Sequence, residues 1–286
     1  MKEGRKGLLL MLLPTFFWPF GDGQVRLITT EFSISIIIVV WSRMFGQLVF
    51  LSPLFVRAMR NGELQVSNMR LQIVRGVCYF IPVLGFSWSM RYVPVADAQA
   101  IISFHPLAAS VLAAIFLNEK LTGRKIAALL IGLLGVFIIV RPGMGVMHPA
   151  AFVLISCGLF FAIHQVVSKK LLLVSNHIST LFFTTVVCVF LATLLLAFAD
   201  FPTLPKRYIL LLSVIGIWSA IGDYFMTASY RYADASTLAP MYYLHLLWAT
   251  VIGYFMFNEY PDIPTIVGAL VLVIVGIFNF KSTTNR

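Results

Sequence analysis

Apolar residues run along the chain in blocks of about 20, each closed by a short cluster of Gly, Pro, Asn or charged residues. A block of that length crosses the hydrocarbon of a bilayer as one helix. The first block starts behind Lys2, Arg5 and Lys6 and runs through Pro14, Trp18 and Pro19 to about Val25. It begins like a secretory leader, but no small-residue cleavage site follows, so the pattern predicts an uncleaved first helix. Further blocks cover 33–56, 71–90, 95–117, 123–141, 150–170, 178–199, 207–230, 236–257 and 262–280. Turn residues separate them: Asn61-Gly62, Val93-Pro94, Arg141-Pro142-Gly143, Pro202 to Pro205 and Tyr260-Pro261. The expectation is an all-α integral membrane protein with ten transmembrane helices. Pro14, Pro19, Gly21 and Gly23 predict a break in the first, because irregular backbone at depth survives where it lines a cavity or is buried in protein. Trp18, Asp22 and Gln24 would then line an extracellular path.

Composition strengthens the membrane reading. Of 286 residues, 60% are apolar and only 11% charged, where a soluble domain carries about 25% charged. Mean hydropathy is +0.93. Ten spans use about 200 residues, so 1–286 is expected to form a single membrane domain. A net charge of +10 would suit nucleic acid only if the basic residues shared one soluble face. They sit in short loops instead, and no nucleic-acid partner is expected. Fourteen Lys and Arg fall on the side of the two termini and five on the other, with Arg43 and Arg75 inside helices. That asymmetry predicts cytoplasmic termini in an inner or plasma membrane. Cys78, Cys157 and Cys188 have no C-x-x-C partner, so they read as buried small hydrophobes; no metal or cofactor is expected.

Sliding the chain on itself by 140 residues aligns Arg91-Tyr92 with Arg231-Tyr232, His105 with His245, and Asn118-Glu119 with Asn258-Glu259. Eight of 29 positions are identical without a gap. Five helices per half is an odd number, so the second half enters from the opposite side. Halves 1–143 and 144–286 are therefore expected to be inverted five-helix repeats, the plan of many secondary transporters, with a substrate site between them.

The segment Tyr92 to Gly143 resembles the repeat unit of the EamA-type drug/metabolite transporter superfamily. It has the Pro-containing hairpin, mid-helix Pro106, the Leu117-Asn118-Glu119-Lys120-Leu121 turn, and a fifth helix with Gly132 and Gly135. The second copy repeats the turn at Asn258-Glu259. Arg43 in WSRMFGQLVFLSP and Arg75-Gly76 in IVRGV stand where that family often has an arginine. Phe257 to Asp262, with Ala239-Pro240 and Tyr243-Leu244 upstream, is similar to its S-adenosylmethionine-uptake branch. The resemblance implies transport rather than catalysis.

Charged groups in a bilayer face a partner, a cavity or water, because each costs a few kcal/mol or more when left alone. Arg43 reads either as a lock on backbone carbonyls or as a cation for a substrate carboxylate. Arg75, one turn into its helix, reads as snorkelling to the interface. Asp223 is the carboxylate deep in a helix, a candidate proton site or cation anchor. His105 and His245 take equivalent midplane positions, and His164-Gln165 could join them. Trp18, Trp88, Trp218, Tyr242 and Tyr243 offer stacking surfaces, against the ordinary role of interfacial belt residues. Glu119 and Glu259 end helices and read as caps.

Arg43, His105 and His245 against Asp223 give the expected cavity a cationic bias. They suggest a small polar metabolite with a negative group, such as an amino acid or S-adenosylmethionine, with protons as a possible coupling ion. Export of another metabolite class or a drug-like compound remains an alternative. No G-x-S-x-G or H-E-x-x-H supports an intramembrane enzyme, and no Walker A supports self-driven ATP use. A scaffold would have little reason to keep ionisable groups in mid-membrane.

Overall fold

A computed structural model describes residues 2–32, 34–65, 68–93, 95–140, 149–199, 206–258 and 263–284. Every regular element among them is helical. In chain order these are α1 (Lys2–Thr30), α2 (Ile36–Arg60), α3 (Met69–Ser89), α4 (Val95–Ile102), α5 (His105–Leu117), α6 (Gly123–Val140) and α7 (Ala150–Leu172). Then come α8 (His177–Leu196), α9 (Lys206–Ser229), α10 (Ala235–Leu238), a 3₁₀ segment (Ala239–Tyr243), α11 (Leu244–Phe257) and α12 (Ile263–Thr284). Five of the described helices are long and apolar enough to cross a membrane: α2, α3, α7, α8 and Tyr208–Ser229 of α9. Their polarity is the reverse of a water-soluble protein's. Phe45, Val49 and Phe50 of α2 are exposed, while Arg43 and Gln47 of the same helix are buried. Lipid solvates the apolar face, so the polar face must find partners inside.

The structure corrects the expected break in the first span. α1 is continuous through Pro14 and Pro19. Its glycines serve close packing instead: a Cβ on Gly21 would meet Trp218 Cβ at 3.4 Å, and one on Gly23 would meet Ile252 at 2.6 Å. α9 and α11 lie along it and hold it straight.

The breaks fall in the fourth and ninth predicted spans. Ser103 and Phe104 separate α4 from α5, and the 3₁₀ segment separates α10 from α11. Pro106 and Pro240, near the starts of the following pieces, remove a backbone donor at each break. α5 and α11 end alike, on left-handed Asn118 (φ 53°) and Asn258 (φ 54°), whose N–H groups donate to the carbonyls of Ala113 and Gly253. Asn tolerates that conformation better than most side-chain-bearing residues.

α2 and α9 touch backbone to backbone. A Cβ on Gly216 would lie 2.5 Å from the Gly46 carbonyl carbon, and one on Gly46 would lie 3.2 Å from Gly216 Cα. Arg43–Ser219 and Gln47–Asp223 hydrogen bonds share one sequence separation, 176, so the two helices run in the same direction. The glycine crossing thus sets Arg43 and Gln47 against the buried face of α9. Gly216→Ala is expected to force the helices apart and destabilise the fold by about 1–3 kcal/mol or more. Thermal unfolding of purified protein checks this, with Gly123→Ala as the control, since a Cβ there meets nothing within 4 Å.

Candidate functional site

A cavity opens beside the α2–α9 crossing. α1 lines it with Trp18 and Asp22, α2 with Arg43, and α3 with Tyr79, Pro82, Val83 and Phe86. Gln99 and Ile102 of α4, His105 of α5, Phe161 of α7 and His245 of α11 complete the wall. The i, i+3, i+4 and i+7 spacing from Tyr79 to Phe86 turns one stripe of α3 toward it.

Asp22 is its polar centre. Arg43 Nη1 donates to Asp22 Oδ1 at 3.0 Å, and Gln99 Nε2 donates to Oδ2 at 3.0 Å. His245 Nε2 stands 3.5 Å from the same Oδ2 without forming a hydrogen bond. Arg43 Nε donates to Ser219 Oγ at 2.6 Å. Arg43 is therefore not locked on carbonyls; its partners are a carboxylate and a hydroxyl, both side chains that can rearrange. The ion pair also changes the charge balance foreseen from sequence, because Asp22 neutralises Arg43 within the cavity wall.

Below the cavity lies a second polar layer. The Tyr79 hydroxyl donates to Asp223 Oδ1 at 2.8 Å, and Gln47 Nε2 donates to Asp223 Oδ2 at 2.9 Å. Arg75 is 1% exposed and does not snorkel. Its Nε donates to Ser168 Oγ at 2.7 Å, Nη1 to the Thr180 carbonyl at 3.0 Å and to Thr184 Oγ1, and Nη2 to Thr227 Oγ1 at 3.1 Å. One guanidinium thereby ties α3 to α7, α8 and α9, and hydroxyl-rich helices supply what bulk water cannot.

Of the residues singled out from sequence, Trp18, Asp22, Arg43, His105 and His245 meet in the cavity wall. Gln165 Nε2 donates to His105 Nδ1 at 2.9 Å, and His164 Nδ1 donates to the Arg75 carbonyl at 3.1 Å. Tyr242 meets the His105 ring edge to face, centroids 4.9 Å apart, and shares a 3.0 Å hydrogen bond with Tyr230. Tyr243 instead donates to the Leu129 carbonyl at 3.1 Å, its ring lying over Gly132. Trp218 donates to Gln24 Oε1 at 3.2 Å, and Trp88 packs on Tyr92. These last three do not line the cavity, nor do Arg75, His164, Gln165, Asp223 and Tyr242. Sequence reasoning missed Gln47, Tyr79, Gln99 and Ser219. Gln47, one helical turn after Arg43, carried the clearest available signal: a second polar residue on the same face of an apolar block.

Glu119 caps the start of α10 across the molecule. Its carboxylate accepts from the Ala235 and Ser236 amides, each at 3.0 Å, and from Ser236 Oγ at 2.6 Å. Lys125 and Lys169 each stand 3.9 Å from Asp234, and Lys169 also donates to the carbonyls of Tyr230 and Ala233. Glu259 lies outside the described residues. The cap read for Glu119 is present, although its amides belong to α10 rather than to its own turn.

The sequence profile of the EamA-like transporter family matches residues 5–141 and again 148–280. An S-adenosylmethionine uptake transporter of Rickettsia conorii is 26% identical over 251 residues, covering 87% of this chain and 85% of that protein. The pseudopaline exporter CntI of Pseudomonas aeruginosa is 24% identical over 277 residues, covering 96% and 95%. A solved crystal structure has the same fold, with a TM-score of 0.75 at 15% identity across 97% of this chain and 95% of that one.

The hydrogen bonds of Arg75 mark it as a staple. Arg75→Lys keeps the charge but not the planar fork, leaving several of the four acceptors unsatisfied. The expected result is a lower melting temperature and less folded protein, with ligand affinity unchanged in whatever folds. Melting curves and binding isotherms on the same preparation separate the two effects.

Proposed function

We infer the activity from family: the chain belongs to the EamA-like transporter family and is a membrane transporter. We propose that it carries a small zwitterionic metabolite, an amino acid or an amino-acid-derived compound such as S-adenosylmethionine, across the inner or plasma membrane. In this reading ten helices form two inverted five-helix halves, 1–143 and 144–286, which alternate access to a site between them. One profile match in each half supports that division. So do the two interrupted helices ending on Asn118 and Asn258. The cytoplasmic placement of both termini follows from the basic asymmetry.

The Arg43–Asp22 pair in the cavity wall carries the proposal. Separating a buried pair without replacement is strongly unfavourable, at about 3–5 kcal/mol. A zwitterion replaces both partners at once. Its carboxylate takes the Arg43 fork bidentately, and its ammonium or sulfonium end takes Asp22. Trp18 and Phe161 add aromatic surface to that cationic end, their ring centroids 5.9 Å apart. Asp22, rather than Asp223, is thus the acid offered to the ligand. S-adenosylmethionine, named for the Rickettsia relatives, has this charge pattern. Export is a second reading, favoured by the Pseudomonas exporter's match over 96% of the chain.

Uptake of labelled S-adenosylmethionine into proteoliposomes tests the substrate, and the direction of net movement in cells separates import from export. Arg43→Lys is expected to raise the apparent KM at least about tenfold with the protein still folded, a loss of about 1.4 kcal/mol. Normal transport by Arg43→Lys, or carriage only of permanent cations without an acid group, would sink the zwitterion reading. A reporter fused at Arg286 is expected to be active only when its assay favours the cytoplasm; the opposite result overturns the orientation.

A further inference from the structure

Asp223 has no ion-pair partner among the described residues, although it is only 3% exposed. Its oxygens accept from two neutral donors, the Tyr79 hydroxyl and the Gln47 amide. Tyr79 belongs to both polar layers at once, since its ring lines the cavity and its hydroxyl holds Asp223. Gln47 has a feature of its own: its Oε1 is buried and without a partner. A half-turn of that amide exchanges donor for acceptor. One side chain can therefore serve an ionised acid by donating and a protonated acid by accepting.

We propose that Tyr79 couples protonation of Asp223 to the substrate cavity. A proton from water binds an Asp223 carboxyl oxygen and is donated to Gln47 Oε1 after the amide turns. The Tyr79 hydroxyl then donates to the neutral carbonyl oxygen of the acid instead of to a carboxylate, and the weaker bond loosens its ring in the cavity wall. Release of the proton to water on the other side restores the stronger, charge-assisted hydrogen bond. The coupling is reciprocal by linkage, so ligand in the cavity changes the proton affinity of Asp223 as the proton changes ligand affinity. The inference rests on the transporter reading above.

Other titratable and charged groups surround Asp223. Arg43 of α2 is held by Asp22 and Ser219, and Arg75 of α3 by hydroxyls and a carbonyl. His164 of α7 packs its ring 4.9 Å from that of Tyr79. Cys188 of α8 and Tyr242 of the 3₁₀ segment lie within electrostatic reach. On the cavity side stand Asp22 of α1 and His245 of α11. That last pair is the rival sensor of pH, and the experiment must separate it from Asp223.

Infrared difference spectra of purified protein with ring-labelled tyrosine, taken across pH without ligand, test the local switch. A tyrosine band is expected to shift with pH, to vanish in Tyr79→Phe and to stay fixed in Asp223→Asn. No such band in the unmodified protein, or a band that still shifts in Asp223→Asn, overturns the proposal whether or not any ligand is known. Should Tyr79→Phe not fold, a band that shifts in the unmodified protein and is fixed in Asp223→Asn supports the switch. Binding of S-adenosylmethionine across pH tests the coupling: a change of about fivefold or more is expected, absent in Tyr79→Phe. Affinity independent of pH, or pH dependence that survives Tyr79→Phe and disappears in His245→Gln, overturns it. If S-adenosylmethionine does not bind at any pH while the Tyr79 band still answers to Asp223, the substrate reading fails and the switch stands.

Discussion

A guanidinium taken out of water has five N–H donors that must be answered from within the chain. Two such groups, Arg43 and Arg75, organise the interior of this protein, and they are answered in different ways. Arg75 is enclosed by hydroxyls and a carbonyl from three other helices, all fixed by the packing. In the cavity wall, Arg43 is answered by one carboxylate and one hydroxyl. The first arrangement holds helices together; the second leaves a charge whose partner a ligand can replace. Both depend on the same condition, that hydrocarbon offers nothing to either group.

The ten apolar blocks were legible because each is a run longer than any core helix of a soluble domain needs. The interruptions were not, because Pro and Gly carry two meanings. In α1, Gly21 and Gly23 admit Trp218 and Ile252, and the helix stays whole. At Pro106 and Pro240 the lost donor coincides with a true break. Only the neighbours decide between these outcomes, and neighbours are a long-range property. The site divides the same way. Arg43, His105 and His245 stood out as polar residues in apolar blocks, and they do meet. Their partners were hidden, since Arg43 finds Ser219 and Gln47 finds Asp223 across a separation of 176 residues. Arg75 was misplaced because its position near a helix start says nothing of the hydroxyls that α7, α8 and α9 bring to it.

The two matching segments of sequence do not contribute matching chemistry. Asn118 and Asn258 end their helices in one conformation, and His105 and His245 sit one per segment on the cavity wall. Yet His245 faces the Asp22 carboxylate, while His105 accepts from Gln165. Glu119 reaches across to the amides that open α10, so a turn of the first matching segment caps a helix of the second. Two segments that match one family profile thus share a polar site that is asymmetric, and an asymmetric site can grip a ligand whose two ends differ in charge.

The glycine contact between α2 and α9 has a mechanical consequence. Two helices whose backbones touch at Gly46 and Gly216 cannot slide past one another, since any shift would drive a side chain of one turn into the carbonyls of the other. They can tilt. The contact is a fulcrum: Gln47 lies one residue from it on α2, while on α9 Ser219 lies three residues beyond it and Asp223 seven, about 10 Å along the axis. A small rocking of α9 about it therefore carries Asp223 through a larger arc than Ser219, so the Gln47–Asp223 contact is strained before the Arg43–Ser219 contact is.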